Sequence, residues 1–308
     1  MKRSICYPLI LLCFSVACTQ SPEPRSAEVP FKALRAAEHL SDPIKVAKWM
    51  LPFSQHKRED LQFTPNSIIA GEDTLILIQQ TAVDVVYTRK SPGQTTGFTI
   101  TAAPLDNRPG ITRFLLSWRG ANNSPWTGNA AMTSLVNASL DSLVNYFTNP
   151  VKMYGYPIRD IKVTDTAFLF ASRTIPAAEF PEASAALFEM LRRQAARYKV
   201  PYTGVRIFNM EKMGDRRTIY AGIGIEYRVD TQPGDSAQFK WMPYQKNLLA
   251  VDMEGPYAEV DKVKEALELY RVDKEMVSMA IPFHKYLSDG YGYTDSQRVR
   301  IRVCLPVY

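Results

Sequence analysis

Cysteine is nearly missing from the body of this 308-residue chain: Cys6, Cys13 and Cys18 fall at its start, and Cys304 is the one other. A disulfide framework is thereby excluded, and stability has to come from packing. Histidine is as scarce. His39, His56 and His284 lie in separate segments without ligand-like spacing, so each reads as a structural or surface residue and no metal is expected. There is no Gly-x-Ser-x-Gly elbow, His-Glu-x-x-His helix, Cys-x-x-Cys pair or phosphate-binding loop. Gly222-Ile223-Gly224 lacks the third glycine of a dinucleotide motif and sits inside a strand pattern. The common catalytic and cofactor chemistries therefore have no footing, and no cofactor is expected; a hydrolase built on one carboxylate and one tyrosine would leave no motif. Long apolar runs are lacking too, and none approaches the about 20 residues that span a bilayer.

Apolar residues are plentiful, at 46% against 22% charged, which suffices for genuine cores. The length suits two domains on a prior of about 100–200 residues each. The net charge is +6, and on an exported chain such an excess fits anionic lipid headgroups or plain solvation better than nucleic acid. Export is expected from Lys2 and Arg3, the apolar run Ile5 to Val16 and the small residues before Cys18. Ser15-Val16-Ala17-Cys18 resembles a bacterial lipobox, with Ser15 where leucine is more usual. That resemblance implies a signal peptide over 1–18, a lipid on Cys18, a flexible tether over 19–29 and a membrane-anchored chain in the cell envelope, on the periplasmic side. The alternative is an ordinary cleaved signal with an incidental cysteine.

Beyond the tether, Pro30 to Ala36 reads as an opening strand. Ser41-Asp42-Pro43 supplies a cap and a first-turn proline, and Val46, Trp49, Met50 and Phe53 follow at helical spacing. Strands are predicted over Ser67–Ala70, Thr74–Thr88, Gly97–Ala103 and Ile111–Trp118, divided by turn residues. A helix from Asn129 to Phe147 carries Met132, Val136, Leu140, Leu143 and Phe147 on one stripe, read first as core packing. This order of helix, curved antiparallel sheet and long helix, with Trp49 to Phe53 and the Trp118-Arg119-Gly120 strand end, resembles the helix-grip domains of the START-like or SRPBCC superfamily. The resemblance covers 30–150 and implies an apolar cavity under the long helix. Trp118 and Trp126, flanking Gly120 to Pro125, either gate a cavity mouth or pin their own loop.

Asn149-Pro150 breaks that helix, and Val151 to Ile158 reads as a hinge. Two copies of one strand-helix-strand-strand unit follow. The first runs as strand Ile161–Ile175, helix Pro181–Tyr198, and strands Gly204–Asn209 and Thr218–Val229. The second runs as strand Leu248–Met253, helix Tyr257–Arg271, and strands Ala280–Leu287 and Arg298–Val307. An internal duplication is therefore expected, with a groove between the two helices and Asp230 to Lys246 as a crossover loop lying over a groove. The fold class is α+β.

Glu254-Gly255-Pro256-Tyr257, the charged helix after it, Tyr286-Leu287-Ser288-Asp289 and the ending Val303-Cys304-Leu305-Pro306-Val307 resemble the GyrI-like, or AraC-type effector-binding, family. The resemblance covers 158–308. It implies a duplicated module whose central groove binds hydrophobic, often cationic or aromatic, small molecules, and some relatives hydrolyse cyclopropane compounds. Many members carry an acidic residue on the last strand, where this chain has Arg302. Arg298, Arg300 and Arg302 share a strand face: in the groove they would favour an anionic or carbonyl-bearing ligand, and in water they form a solvated ladder. Candidate groove residues are Phe208, Glu226, Trp241, Tyr244, Tyr257, Tyr286 and Arg302, each aromatic being read first as core. Glu226, if partly buried, would have a raised pKa and serve as counter-ion or general acid. A small-molecule binder is thus the leading expectation, with a Glu226-and-tyrosine hydrolase or a scaffold without a working groove as the others.

Overall fold

The computed structural model describes residues 23–118, 130–232, 234–278, 280–288 and 296–308. The export signal with Cys18, the 119–129 segment with Trp126, and Asp289 lie outside the described residues. Alternating apolar side chains build two antiparallel sheets, each with its own core.

In the first sheet β1 (Arg25–Val29), β2 (Gln62–Thr64), β3 (Ser67–Ala70), β4 (Asp73–Gln80), β5 (Asp84–Ser91), β6 (Gln94–Leu105) and β7 (Arg108–Ser117) lie in the order β1-β7-β6-β5-β4-β3-β2. The helix α3 (Ala130–Thr148) buries its apolar stripe here, where the Phe147 ring lies 4.9 Å from Phe31 and 5.3 Å from Phe114. Ahead of the meander stand α1 (Ala33–Ser41) and the short α2 (Pro43–Val46), whose cap is the Asp42 carboxylate accepting from Ile44 N at 2.8 Å. Trp49, Met50 and Phe53 are buried behind it.

Three local expectations are corrected. Pro30 to Ala36 is not a strand: Ala36, Ala37 and Leu40 fall on one helical face and are buried in α1. The strand slot goes instead to Arg25–Val29, so the end of the expected tether is part of the sheet. Thr74–Thr88 is two strands, because Thr81 Oγ1 accepts from Asp84 N at 2.9 Å and turns the chain. The expected hinge after Pro150 holds a helical turn, α4 (Pro150–Tyr154), capped by Asn149.

The second sheet has β8 (Arg159–Lys162), β9 (Ala167–Pro176), β10 (Tyr202–Met213), β11 (Arg216–Ile225), β12 (Gln238–Trp241), β13 (Asn247–Pro256), β14 (Phe283–Tyr286) and β15 (Arg298–Val307), with helices α5 (Phe180–Arg197) and α6 (Val260–Asp273). Its order is β12-β9-β11-β10-β14-β15-β13-β8. The run β9-α5-β10-β11 is matched by β13-α6-β14-β15, and the two halves meet where Phe208 pairs with His284. The expected single strand Ile161–Ile175 is two strands at opposite ends of the sheet. β8, which leads into the first repeat, pairs with β13 of the second; β12, which leads into the second, pairs with β9 of the first. The repeats thus exchange their leading strands.

That exchange shapes the sheet. β8 and β9 are six positions apart in the order, about 28 Å if the sheet were flat. The chain from Lys162 to Ala167 reaches at most about 18 Å. The sheet must therefore coil until its two edges approach. The connections, 163–166 and 242–246, cross antiparallel and bond to one another: Val163 N to Lys246 O at 2.9 Å, Gln245 N to Val163 O at 3.1 Å and Met242 N to Thr166 O at 2.8 Å. They form two straps over one face.

A buried polar chain joins the two halves of the protein. Tyr146 Oη lies 2.8 Å from His39 Nδ1, His39 Nε2 lies 3.3 Å from Asp273 Oδ2, and Tyr154 Oη donates to that oxygen at 2.9 Å. Beside it Lys274 Nζ donates to Pro30 O at 2.9 Å and lies over the Phe31 ring, and Lys32 pairs with Glu275. Burial pushes His39 below its ordinary 6.5, with Asp273 opposing. Burial would raise Asp273, but the hydrogen bonds from His39 and Tyr154 outweigh it and hold the carboxyl below 3.8.

Both groups bind fewer protons folded than unfolded. Their contribution to stability is present above the unfolded values and is lost as pH falls. The melting temperature should therefore drop as pH is lowered from 7 through 6.5, and His39→Gln should flatten part of that slope. Another buried histidine, His284, acts with the same sign, so some slope remains. Asp273→Asn should cost about 1–3 kcal/mol at neutral pH. A thermal-melt series across pH checks both, and a slope unchanged in His39→Gln would contradict the assignment.

Candidate ligand pocket

The strand register sorts side chains onto two faces of the second sheet. Leu169, Ala171, Phe208, Ala221, Ile223, His284, Ile301 and Val303 point towards α5 and α6. Between the helices this face is filled. Phe208 meets Phe180 at 5.9 Å, Phe188 at 6.1 Å and Tyr286 at 6.4 Å, and Tyr257 meets Phe180 at 6.1 Å. His284 sits among them fully buried, 5.2 Å from Phe208 and 5.7 Å from Tyr257. Burial, reinforced by the Lys264 charge, pushes it down to about 3, so the ring is neutral at physiological pH. Among the described residues, aromatic rings fill the groove expected between the helices, and Phe208, Tyr257 and Tyr286 belong to this core.

The open space is on the other face, beneath the straps. A pocket of about 320 Å³ is lined from the first repeat by Phe168, Phe170, Ile207 and Tyr220, and from the second by Leu248, Phe283, Pro306 and Tyr308. Trp241, Met242, Pro243 and Lys246 roof it. Its charged lining residues are Lys240 and Lys246, both exposed, with Lys246 Nζ 5.9 Å from the centre of the Tyr308 ring. Among the described residues no aspartate or glutamate lines it. A smaller pocket of about 60 Å³ under the other strap shares Val163, Phe168, Ile207, Met242, Leu248 and Phe283 with it. That strap is held down by Asp165, which accepts from Lys285 Nζ at 2.7 Å.

Gly222 explains itself here. Its row in the sheet runs Phe170, Gly222, Ile207, and a Cβ at Gly222 would meet Ile207 Cγ1 at 2.9 Å. The glycine pair noted in the sequence therefore serves packing under the pocket.

Of the expected groove residues, Trp241 lines the pocket and is 59% exposed, offering its ring at the entrance. Tyr244 is on the strap that follows but outside the lining, and is exposed. Phe208 is also among the lining residues, although its ring belongs to the helix-side core. Arg302 faces the strap side but lines the smaller pocket, where Asp252 engages it at 2.6 and 3.1 Å. Asp252 holds its pKa above the ordinary arginine value; Arg159 shares the same carboxylate. Arg298 and Arg300 are exposed on that face, so the ladder is largely solvated. Glu226 is exposed just past the end of β11, away from both pockets. The expected buried carboxylate is therefore not there, and a hydrolase built on it lacks its acid.

Sequence reasoning passed over Phe168, Phe170, Tyr220, Phe283, Lys240 and Lys246. A signal existed for the first two. Ala167-Phe168-Leu169-Phe170-Ala171 is apolar at every position, as in a strand covered on both faces.

No protein-family model matches the chain, and no curated protein matches it. Solved structures similar to it include an EcmrR–DNA complex, 12% identical, with 57% of this chain and 68% of that chain covered at a TM-score of 0.40. The EcmrR C-terminal domain is 13% identical, with 50% and 98% covered at 0.40. The di-domain ARO/CYC StfQ from the steffimycin biosynthetic pathway is 10% identical, with 93% and 85% covered at 0.30. Likeness at these scores carries no functional weight, and the architecture rests on strand order and register.

Truncation separates the two faces. Phe208→Ala should cost about 3–5 kcal/mol by emptying a packed site, whereas Trp241→Ala at the exposed end of β12 should stay within about 0.5 kcal/mol. Urea denaturation of the two variants checks this, and equal losses would contradict the division into filled and open faces.

Proposed function

We propose that the second half of this chain binds a small, mainly apolar molecule carrying an anionic or carbonyl group, in the pocket beneath the straps. One observation carries the reading: about 320 Å³ of space, walled by aromatic and aliphatic side chains from both repeats, whose charged lining residues are Lys240 and Lys246. That volume is within the range of about 300–1,000 Å³ typical of small-molecule sites. Aromatic walls supply contact area, and ammonium groups at the rim favour an acidic head over a basic one. Arg302, already engaged by Asp252, contributes less than the two lysines.

The same proposal reads the second half as a GyrI-like module, supported by the repeated strand-helix-strand-strand order. It reads the first half as a helix-grip unit, supported by α3 packing on the meander sheet. It also takes the chain to be a cell-envelope lipoprotein anchored through Cys18, supported by the Lys2-Arg3, apolar-run and Cys18 pattern.

Trp241 is the natural probe. Titration with decanoate should quench its emission saturably, and Trp241→Phe should remove that signal. Decylammonium should bind at least about tenfold more weakly, a difference of 1.4 kcal/mol, and Lys240→Glu with Lys246→Glu should reverse the order. Absence of saturable binding, or equal binding of both heads, would contradict the reading. Metabolic labelling with palmitate should mark the wild type and spare Cys18→Ser; equal labelling would contradict the anchor.

A further inference from the structure

A second cleft, in the first half of the chain, has a different character. It measures about 510 Å³ and is lined by Lys48, His56, Arg58 and Lys152 together with the hydroxyl residues Ser54 and Ser142. These arrive from separate elements: Lys48 follows α2, Ser54 and His56 lie in and just after a 3₁₀ turn (Phe53–Gln55), Arg58 opens the next (Arg58–Asp60), Ser142 is on α3 and Lys152 on α4. Among the described residues no aspartate or glutamate lines the cleft. Of the nearby acids, Asp42 caps α2, Asp73 accepts from Arg89 at 2.9 Å and Glu59 lies 3.9 Å from Lys57, while Asp60 is exposed at the end of the Arg58 turn. Among the described residues, Lys48, Arg58 and Lys152 form no ion pair.

Like charges gathered without a counter-ion repel, and a fold has no packing reason to collect them. The Lys48 ammonium is partly buried and donates to Met153 O at 2.9 Å. Burial, then the charge of Lys45, pulls its pKa below the ordinary lysine value. Arg58 is held in place over the Phe63 ring, 4.9 Å from its centre. Ile44, Ala47, Leu61 and Phe63 make one flank apolar.

We propose that this cleft is an oxyanion site, binding a phosphate group through Lys48, Arg58 and Lys152, with the apolar flank receiving the organic part attached to it. A guanidinium fork and two ammonium groups match the three or four oxygens of a phosphate, and the serine hydroxyls add neutral donors. The cleft is larger than phosphate alone requires, so a phosphate ester fits better than the bare ion. Such an ester is presented either by a soluble metabolite or by the headgroup of an anionic phospholipid.

The full chain is titrated by calorimetry with glycerol 3-phosphate, and by co-sedimentation with vesicles of phosphatidylcholine alone or with a quarter phosphatidylglycerol. The wild type should bind at least one of the two phosphate sources, and the arm that responds identifies which. Arg58→Gln with Lys152→Gln should weaken that binding by at least about tenfold, as expected when charge-assisted hydrogen bonds are removed. Lys90→Gln with Lys262→Gln makes the same change in net charge away from the cleft and should change binding less than about twofold. Both pairs are exposed or half-buried, and thermal melts confirm that the variants fold. Equal loss in the two double variants would assign the effect to overall charge and overturn the site. So would a wild type that binds neither glycerol 3-phosphate nor the anionic vesicles. Failure here leaves the decanoate titration of the other pocket untouched, since the two sites share no residue.

Discussion

Two short connections dictate the shape of the second half of the chain. Each repeat begins with a strand that pairs with the other repeat, and only four or five residues separate that strand from the next. A flat eight-stranded sheet cannot be joined by such links, because its edges would lie farther apart than the links reach. The coil of the sheet follows, and with it a concave face that the links themselves bridge. The pocket is thus a by-product of connectivity: had β8 and β12 paired within their own repeats, the sheet could lie open and the strap side would be a plain surface.

The same sheet divides its aromatic side chains between two tasks. Rings facing the helices pack upon one another, with neutral His284 enclosed among them. Rings facing the straps, Phe168, Phe170, Tyr220 and Phe283, stand round a space that they do not fill. Strand alternation alone decides which group a given ring joins, so neighbours such as Phe283 and His284 have unrelated roles. Rigidity on the helix side suits a site on the other, since a preformed pocket loses less conformational freedom when occupied.

Much of this was readable from the sequence, and the failures have physical causes. The β15 bounds, the α3 stripe and the repeat order emerged because each depends on local periodicity. Glu226 was misjudged because a position just beyond a strand end looks, in sequence, like a continuation of that strand. Ile161–Ile175 was read as one strand because Val163 and the β-branched Thr164 and Thr166 suit an extended chain; that they cross a sheet rather than join it is a tertiary fact. The groove went to the wrong face because periodicity gives alternation but not which face the helices cover. Trp241 falls in Asp230 to Lys246, expected as a crossover loop on a groove; the structure makes Gln238–Trp241 the edge strand β12 and leaves only 242–246 to cross the sheet.

The central claim is that the two straps bond to each other and hold the sheet coiled. Native-state hydrogen exchange at single-residue resolution tests it most directly. The amides of Val163, Met242 and Gln245, which donate across the straps, should exchange as slowly as those of the β13–β15 ladder and open with it. Exchange of those three amides at the rate of a free loop, with the ladder still protected, would contradict the account and leave the pocket without a roof.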